Sequence, residues 1–410
     1  MFIAKFIEIE RREKDVVIYA VDFNSIVSVS YSVLDILNKL KIKYGNNQVK
    51  DTDPLYRNLC MKNGVEKLYQ YNFITNNTRN METKYKNFTP TLKTVYLHVT
   101  QECNFHCTYC YAQHNLGKGM MMRYDRAKKY IDKLYAEGIR QFILTGGEPL
   151  LNPDIDEIIN YIRNKKDVYI ELLSNGSLIN YHILSLKYVD NIIISLDIKG
   201  SNNRKGISQE KILKNICGIS KDLKDKISIR SVISKGEEKQ VFYMKEEMNK
   251  LGFNYIYIPR LPNNTDDLKR FPNVYQIGDE GEWSKTMKVF RCGAGMSEIA
   301  VDWNGDIYPC QNLMRKNHLL SNLDNETWNI EILNAKLTQT LKKANILEIN
   351  KCKNCNMKYL CGGGCRALSY NVYGSYDHCL DFYCDYFYSM ANEKLKRIAY
   401  NINNGGKYDI

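Results

Sequence analysis

Between residues 94 and 260, short apolar runs alternate with longer stretches whose apolar residues recur at helical spacing. The apolar runs predict six strands, at 94–100, 141–145, 168–173, 191–196, 227–233 and 254–260. The amphipathic stretches predict helices near 125–137, 154–164, 180–187, 207–221 and 237–250. This alternation predicts an α/β fold with a parallel sheet. A closed barrel of eight such units takes about 250 residues, so this shorter stretch predicts a partial (β/α)6 barrel.

The first 75 residues follow a different pattern, which predicts a small separate domain. Alternating apolar residues predict three strands, at Phe2–Glu10, Val16–Val21 and Ser25–Ser30. Helical spacing then predicts a helix over Val33–Ile42 and further helical turns at Pro54–Met61 and Val65–Tyr69. Three strands followed by three helices are typical of a winged-helix-like domain. Residues 76–93 are polar and aperiodic, and we interpret them as a linker.

Composition narrows the class of protein. The 410 residues are 44% hydrophobic but contain no run of about 20 apolar residues, so we expect no membrane partner. The first residues lack a signal-peptide pattern, which favours a cytoplasmic protein. In that reducing compartment, 13 cysteines indicate metal binding rather than disulfides. The net charge of +12 comes without a dense basic block, so we interpret the lysines as solvated and expect no nucleic-acid partner.

Three cysteines form a motif just after the first predicted barrel strand. Cys103, Cys107 and Cys110 are separated by three and then two residues. Such a set can bind three irons of a [4Fe–4S] cluster and leave the fourth iron free for another ligand. After the next predicted strand the chain reads Gly146-Gly147-Glu148-Pro149. The alternative interpretation is a structural zinc site next to an ordinary turn.

The order of strand, cysteine loop, helix, strand and Gly-Gly-Glu-Pro resembles the radical S-adenosylmethionine (SAM) superfamily. The resemblance implies that the cysteine loop holds a catalytic [4Fe–4S] cluster whose open iron SAM chelates. It also implies SAM contacts at the carboxyl ends of the strands, from Tyr109, Gly146, Gly147, Glu148, Ser174, Asn175, Ser195, Asp197 and Arg230. In that arrangement Tyr109 packs near the adenine, Gly146 to Glu148 lie against the methionyl amino group, and Arg230 holds the methionyl carboxylate. The residues at the strand ends could equally act as helix caps.

A second group of cysteines lies between residues 292 and 384. The pattern is Cys292, Gly305-x4-Cys310, Cys352-x2-Cys355-x5-Cys361-x3-Cys365, Cys379 and Cys384. Two zinc sites could use these thiols, but the spacing resembles the SPASM extension of radical SAM enzymes, which holds two auxiliary [4Fe–4S] clusters. The resemblance assigns a first cluster to Cys292, Cys310 and Cys365, and a second to Cys352, Cys355, Cys361 and Cys384. The remaining Cys379 either completes the first cluster or leaves it with an open iron.

The same resemblance divides the chain into domains. We expect a radical SAM barrel over 94–265, a connector over 266–290, a SPASM domain over 291–390 and a C-terminal helix and tail over 391–410. The last helix is predicted from about Met390 to Tyr400, with Leu395, Ile398 and Ala399 packed against the body. Cys60 and Cys217 stand apart from both groups, and we interpret them as small buried core residues.

SPASM enzymes as a family mostly oxidise peptide or protein side chains. The resemblance therefore implies that a 5′-deoxyadenosyl radical installs an intramolecular cross-link, either thioether or carbon–carbon, in a ribosomally made precursor peptide. The N-terminal domain resembles the element that takes the leader of such a peptide as an added strand. The clusters imply an external electron donor of flavodoxin or ferredoxin type.

Three other functions stay open on the sequence. A peptide epimerase is one of them. An anaerobic sulfatase maturase, which makes formylglycine, is disfavoured because those enzymes lack the N-terminal unit and carry Asp where this chain has Gln311. A non-enzymatic iron–sulfur or zinc binding module is disfavoured by the open-iron triplet and the Gly-Gly-Glu-Pro segment.

Overall fold

The computed structural model describes residues 1–23, 25–76, 91–112, 116–117, 119–201, 203–272 and 292–403. Most of the predicted linker, most of the predicted connector and the tail after residue 403 lie outside the described residues. The described chain contains a small N-terminal sheet, a central nine-stranded sheet and a cysteine-rich C-terminal part.

The N-terminal part has the predicted order of strands followed by helices. Its elements are β1 (Phe2–Ile3), β2 (Phe6–Arg11), β3 (Asp15–Ala20), β4 (Ser25–Ser30), α1 (Tyr31–Tyr44), α2 (Pro54–Cys60), α3 (Val65–Gln70) and β5 (Ile74–Thr75). β2, β3 and β4 form an antiparallel sheet in that order, while β1 pairs with β5. The predicted first strand is therefore interrupted at Ala4 and Lys5. α1 begins at a cap, where Ser30 Oγ accepts a hydrogen bond from the N–H of Val33.

The middle strand of this sheet, β3, is buried on both faces. Val16 and Ile18 pack against the N-terminal helices. Val17 and Tyr19 pack on the other side against the C-terminal part, including the fully buried Leu395. Burial on both faces explains why β3 is a continuous apolar run.

The central sheet has the strand order β13-β12-β10-β9-β8-β6, and three strands of the C-terminal part continue it beyond β6. Six strands run parallel: β6 (Thr94–Thr100), β8 (Gln141–Gly146), β9 (Tyr169–Ser174), β10 (Asn191–Ser195), β12 (Ile227–Ile233) and β13 (Asn254–Pro259). Each predicted strand agrees with its observed bounds to within one residue. β6 and β13 do not pair with each other among the described residues, so the α/β fold with a partial, open barrel is confirmed.

Helices connect these strands and cover the sheet. They are α4 (Tyr124–Ala136), α5 (Ile155–Arg163), α6 (Ile183–Leu186), α7 (Gln209–Cys217), α8 (Lys221–Lys224) and α9 (Gln240–Lys250). The predicted helix 207–221 is divided because α7 is followed by Gly218 and α8 starts after Ser220. The predicted helix 180–187 consists of a 3-10 turn at Ile179–Tyr181 and the single turn α6. Two short strands, β7 (His106–Cys107) and β11 (Arg204–Lys205), pair outside the main sheet.

The C-terminal part extends the central sheet. β14 (Glu298–Val301) pairs in parallel with β6, and β15 (Asp306–Tyr308) and β16 (Ser321–Asn322) follow in antiparallel order. Gln101 Nε2 donates a hydrogen bond to Asp302 Oδ1 (2.6 Å), and both side chains are buried. Gly305 has a φ of 90°, and a Cβ there would collide with the Tyr130 hydroxyl. The contact between the sheet extension and α4 therefore requires glycine at this position.

The remaining helices are α10 (Trp328–Asn334), α11 (Lys336–Lys343), α12 (Asn350–Lys353), α13 (Lys358–Cys361), α14 (Arg366–Tyr373) and α15 (Asp381–Asn403). The last helix was predicted to begin near Met390, which is wrong, because α15 starts at Asp381 and its first turns include Cys384. Leu395 is buried and Ile398 is partly buried, as predicted, whereas the Ala399 side chain lies outside the described residues. No helix in the described ranges combines the length and the apolar character that a bilayer span requires.

The predicted core positions of Cys60 and Cys217 are wrong, because both residues are exposed. Each is the last residue of its helix and directly follows a buried residue, Leu59 or Ile216. Successive residues on a helix point about 100° apart, so the thiols turn away from the core.

Replacing Leu395 with Ala tests the contact between α15 and the N-terminal sheet. Leu395 is fully buried against Val17 and Tyr19, so we expect the variant to lose about 2–5 kcal/mol of unfolding free energy. Urea denaturation followed by circular dichroism measures this loss. Ile42→Ala is the control, since Ile42 is 86% exposed. Equal effects of the two substitutions would contradict the packing described here.

Candidate functional site

The carboxyl ends of the parallel strands bring the predicted site residues to one edge of the central sheet. Strand by strand, this edge carries Cys103–Cys110, Gly146–Glu148, Ser174–Asn175, Ser195–Asp197 and Arg230. Ser195 lies opposite Arg230 in the parallel register of β10 and β12. Ligands of open parallel sheets bind outside this edge. The residues predicted from sequence to contact SAM are therefore close together in the structure.

Two glycines at the end of β8 let the cysteine loop lie directly against the sheet. The N–H groups of Gly147 and Glu148 donate to the carbonyl oxygens of Thr100 (2.8 Å) and Glu102 (2.7 Å). Gly146 has a φ of 136°, and a Cβ on Gly146 or Gly147 would collide with one of these two carbonyl groups. The close contact therefore requires glycine at both positions.

Glu148 is buried and joins the ends of β8 and β9. Its Oε1 accepts hydrogen bonds from Ser174 Oγ (2.8 Å) and the N–H of Leu150 (3.2 Å), and its Oε2 accepts from the N–H of Asn175 (2.6 Å). Burial raises the pKa of the Glu148 carboxyl group, and these hydrogen bonds oppose that rise. Three predicted SAM contacts thus form one hydrogen-bonded unit.

The thiols of Cys103, Cys107 and Cys110 form the first cysteine group. Burial raises the pKa of Cys103, and it raises that of Cys107 to about 11. The three lie close enough that an ionised Cys110 raises the pKa of both other thiols, whereas the charge on Arg204 lowers it. Grouped thiols that need positive charge to ionise fit an iron–sulfur cluster, which thiolates hold.

Arg204 is a site residue that the sequence interpretation missed. It lies in β11, opposite Cys107 in the antiparallel pair with β7. Its guanidinium group lies 4.4 Å from the Phe105 ring centre and donates a hydrogen bond to the carbonyl oxygen of Ser195. Arg204 therefore connects the cysteine loop to the end of β10. In the sequence, Arg204 is recognisable only as a basic residue some way after a strand end, and many surface arginines have a similar position.

Two further residues, Asn104 within the loop and Arg260 after β13, fix the loop. Asn104 Oδ1 accepts a hydrogen bond from Asn175 Nδ2 (2.7 Å), and Asn104 Nδ2 donates to Ser177 Oγ (2.9 Å). The buried Arg260 donates to Thr108 Oγ1 and to the Thr108 carbonyl oxygen, both at 3.3 Å. These contacts attach the loop to the ends of β9 and β13 as well as β8.

Tyr109 and Asp197, both predicted to contact SAM, also contact each other. The Tyr109 hydroxyl donates to Asp197 Oδ1 at 2.5 Å. Burial raises the pKa of the Asp197 carboxyl group. Asp197 Oδ2 is buried and has no hydrogen-bond partner among the described residues. An unpaired buried acceptor is unfavourable, so this oxygen fits a ligand that brings a hydroxyl group, as the ribose of SAM does.

Tyr111 lies between this edge and the C-terminal cysteines. Tyr111 packs edge-on against His98, with ring centres 6.3 Å apart, and its hydroxyl is 3.4 Å from Thr145 Oγ1. Desolvation by the surrounding protein raises the pKa of Tyr111 to about 12. Both Cys110 and Cys310 are near enough to affect that pKa. Tyr111 therefore lies between the two cysteine regions.

Cys292, Cys310 and Cys365 form the second cysteine group. Cys310 is buried, and Cys292 and Cys365 pack against the same small apolar cluster. Burial raises the pKa of Cys310, and the two neighbouring thiols raise it further when ionised. The three thiols that the sequence assigns to a first auxiliary cluster are thus together. Cys379 does not pack in this group.

Five thiols line a cavity of about 300 Å³ and form the third cysteine group: Cys352, Cys355, Cys361, Cys379 and Cys384. Four of them are those predicted for a second auxiliary cluster, and Cys379 is the fifth. None of the 13 cysteines, all of which are described, forms a disulfide. No three His, Cys, Asp or Glu side chains in the described ranges surround a single metal-ion position. The fit to a cluster rests on soft thiol donors grouped around a cavity.

Arg366 is a second residue that the sequence interpretation missed. Its side chain is 1% exposed and donates to the carbonyl oxygens of Tyr376 (2.9 Å) and His378 (3.3 Å). Burial raises the pKa of Cys361 and of Cys365 to about 11, and the charge on Arg366 opposes this rise. Arg366 thus places one cation beside both C-terminal cysteine groups and holds the segment that leads to Cys379.

Replacing Gly147 with Ala should displace the cysteine loop, because the new Cβ collides with the Glu102 carbonyl. We expect the anaerobically purified variant to lose about one third of its iron, the share of one of three [4Fe–4S] clusters. Iron and acid-labile sulfide analysis measures the loss. Gly218→Ala is the matched control, since a Cβ there lies 3.6 Å from the Lys214 carbonyl oxygen, an ordinary contact. Full iron content in the Gly147 variant would contradict the claim that this close backbone contact holds the cysteine loop in place.

Two family models match the chain. The Radical SAM superfamily model matches residues 97–262, and the SPASM iron–sulfur cluster-binding domain model matches residues 292–356. Among curated relatives, a GTP 3′,8-cyclase of Aliarcobacter butzleri is 31% identical over 44% of this chain and 63% of its own length. A cysteine-type anaerobic sulfatase-maturating enzyme of Clostridium novyi is 21% identical over 73% of this chain and 94% of its own. The subtilosin biosynthesis protein AlbA of Bacillus subtilis is 24% identical over 65% of each chain.

Solved structures share the fold. The enzyme anSMEcpe with bound AdoMet superposes with a TM-score of 0.59 at 19% identity, over 75% of this chain and 99% of that one. SuiB of Streptococcus suis, bound to precursor peptide SuiA, superposes with a TM-score of 0.54 at 14% identity, over 90% of this chain and 96% of that one.

The chain spans less than two thirds of the GTP 3′,8-cyclases that it matches, including 35% of one from Methanococcus maripaludis. The two matched domains are nevertheless the two that the motifs indicate, and their cofactors are a SAM-binding [4Fe–4S] cluster and auxiliary iron–sulfur clusters. The chain therefore contains a radical SAM domain, matched at residues 97–262, and a SPASM domain after it, matched at residues 292–356.

Proposed function

We propose that this chain is a radical SAM maturase that installs an oxidative intramolecular cross-link in a ribosomally made peptide. One observation carries the proposal: Tyr111 lies near both Cys110 of the cysteine loop and Cys310 of the second cysteine group, so the two cysteine groups approach the same side chain. A [4Fe–4S] cluster and SAM, when bound, supply a 5′-deoxyadenosyl radical that abstracts hydrogen from a substrate carbon. Cys292, Cys310 and Cys365 would hold a second cluster near the first, which would offer a route for the remaining electron of the substrate.

The residues of the sheet edge have distinct roles in this proposal. Cys103, Cys107 and Cys110 hold the first cluster, and the glycine contact fixes their loop. Asp197, oriented by Tyr109, accepts a hydrogen bond from the SAM ribose through its unpaired Oδ2. Gly146 to Glu148 lie against the methionyl amino group, and Arg230 on β12 holds the methionyl carboxylate. The strand-end residues Ser174, Asn175 and Ser195 contact the ribose and methionyl parts.

The N-terminal sheet supports a peptide substrate. Among the described residues, β4 is an edge strand of regular register, whereas the opposite edge β2 has a register shift between Glu8 and Glu10. Bulges and charged residues protect an edge from pairing. The outer edge of β4 therefore suits the addition of a leader peptide as an extra strand.

The comparisons favour a peptide over a nucleotide. The match to the GTP 3′,8-cyclase covers 44% of this chain, whereas those to the sulfatase-maturating enzyme and to peptide-bound SuiB cover 73% and 90%. The name of AlbA likewise refers to the biosynthesis of a bacteriocin. Electrons would come from an external flavodoxin or ferredoxin. Thirteen free thiols suit a cytoplasmic protein.

A sulfatase maturase is the second candidate, and the match to the Clostridium novyi enzyme is what favours it. Gln311 stands where those enzymes carry Asp. Its Oε1 is buried without a hydrogen-bond partner among the described residues. A carboxamide does not titrate near neutral pH, so it cannot take a proton as a carboxylate does. The group of Cys292, Cys310 and Cys365, next to Gln311, is consistent with a cluster that keeps one iron open to a substrate sulfur. Thioether formation, the first candidate, would use such an iron.

Anaerobic co-expression with each small open reading frame beside the gene tests the reaction. We expect one peptide to lose two hydrogens, and we expect this loss to disappear in a Cys103→Ala, Cys107→Ala, Cys110→Ala variant. Mass spectrometry with fragmentation locates the new bond, and Cys217→Ala, which removes an exposed thiol, is the control. A peptide whose mass is unchanged in H2O, and which takes up deuterium when the reaction runs in D2O, would indicate an epimerase. Conversion of a sulfatase-derived peptide alone would favour the second candidate.

Hydrogen exchange measured by mass spectrometry tests the leader site. Binding of the modified peptide's precursor should slow amide exchange in β4, because an added strand pairs with its outer edge. β2 serves as the internal control, since its edge carries the register shift. Protection of β2 without protection of β4 would contradict the proposed edge.

A further inference from the structure

The two C-terminal cysteine groups hold unequal numbers of thiols. Cys292, Cys310 and Cys365 form a group of three, whereas the 300 Å³ cavity is lined by five. A [4Fe–4S] cluster takes at most one protein thiolate per iron, or four in all. The cavity therefore holds one thiol more than a cluster can use.

The surplus involves two particular thiols. Cys379 Sγ lies 2.9 Å from Cys384 Sγ. Two sulfur atoms in such close contact cannot each bind a different iron, because the terminal thiolates of a cluster point away from one another at its corners. Cys379 also lies close to Cys352, and all three thiols line the cavity.

Separate parts of the chain hold the two thiols in place. Cys379 follows a segment whose Tyr376 and His378 carbonyl groups are bound by the buried Arg366, and the His378 N–H donates to Ser369 Oγ (3.2 Å). Cys384 lies at the start of α15, where its N–H donates to the Leu380 carbonyl oxygen (2.8 Å). Two independent sets of hydrogen bonds thus direct two thiols to one corner of the cavity.

We propose that Cys379 and Cys384 are alternative ligands for the same iron of the second auxiliary cluster. One thiolate binds the iron while the other remains beside it and can replace it. The proposal rests on the proposed function, because it requires that a cluster assembles in this cavity. Its consequence is redundancy: every iron of the cluster keeps a thiolate when either thiol is removed, and one iron loses its thiolate when both are removed.

Iron analysis in a parent that carries Cys103→Ala, Cys107→Ala and Cys110→Ala tests this redundancy, since its remaining iron belongs to the auxiliary clusters. We expect Cys379→Ala and Cys384→Ala each to retain the iron and sulfide of that parent. The double variant leaves one iron without a thiolate, so mild oxidation should release that iron and give a larger [3Fe–4S] EPR signal than in the parent or in either single variant. Cys361→Ala, whose thiol has no substitute, should show the same gain, and Cys217→Ala should show none.

The outcomes separate this proposal from the function on which it rests. A parent that assembles no auxiliary iron would overturn both. A parent with auxiliary iron, in which one single substitution alone enlarges the [3Fe–4S] signal, would overturn the alternative ligands and leave the maturase proposal intact. An unchanged [3Fe–4S] signal in the double variant would do the same.

A second measurement does not depend on how the variants fold. In the iron-free full chain, diamide should join Cys379 to Cys384, because the two thiols pass two electrons and two protons to the diazene, which becomes a hydrazine. Peptide mapping should then show this disulfide ahead of any pair that includes Cys361. Preferential cross-linking of Cys361 instead would contradict the shared corner.

Discussion

The structure depends on one close backbone contact, between Gly146 and Gly147 at the end of β8 and the segment Thr100 to Glu102 that leads into the cysteine loop. The contact leaves no room for side chains, so it fixes the height of the loop above the sheet. Hydrogen bonds from Asn104 and Arg204 then fix its position along the edge. The geometry of the proposed radical chemistry is thus set by packing of main chain on main chain, the least deformable contact available.

The central sheet also connects the cysteine loop to the C-terminal part of the chain. β14 adds to β6 in parallel, so the C-terminal cysteines continue from the strand that carries the cysteine loop. The separate N-terminal sheet also contacts the C-terminal part. Its Tyr19 lies near Tyr359 and Cys355, and α15 packs across that sheet. The proposed leader-binding domain therefore packs against the elements that carry the five-thiol cavity, while the residues that line the cavity all lie between Lys351 and Tyr388. Binding at β4 acts on a sheet whose buried face contacts those elements.

Much of this arrangement is predictable from the sequence, for physical reasons. Strands buried on both faces are continuous apolar runs, so all six parallel strands were located to within one residue. The two C-terminal cysteine groups were also predicted, from the resemblance to the SPASM extension, because spacing alone does not bring together residues as distant as Cys310 and Cys365. The position of Cys379 was not, because it depends on Arg366, whose partners lie ten and twelve residues further along the chain. Arg204 and the exposed Cys60 and Cys217 were missed because tertiary contacts and helix ends decide them.

Transfer of deuterium tests the central claim, that the edge of the sheet directs a SAM-derived radical at a bound peptide. The reconstituted protein would be incubated anaerobically with SAM, a reductant and its precursor peptide deuterated at the carbon that the fragmentation data identify. The account predicts one deuterium in the 5′-deoxyadenosine released, in proportion to cross-linked peptide. Release of unlabelled 5′-deoxyadenosine alongside modified peptide would contradict it.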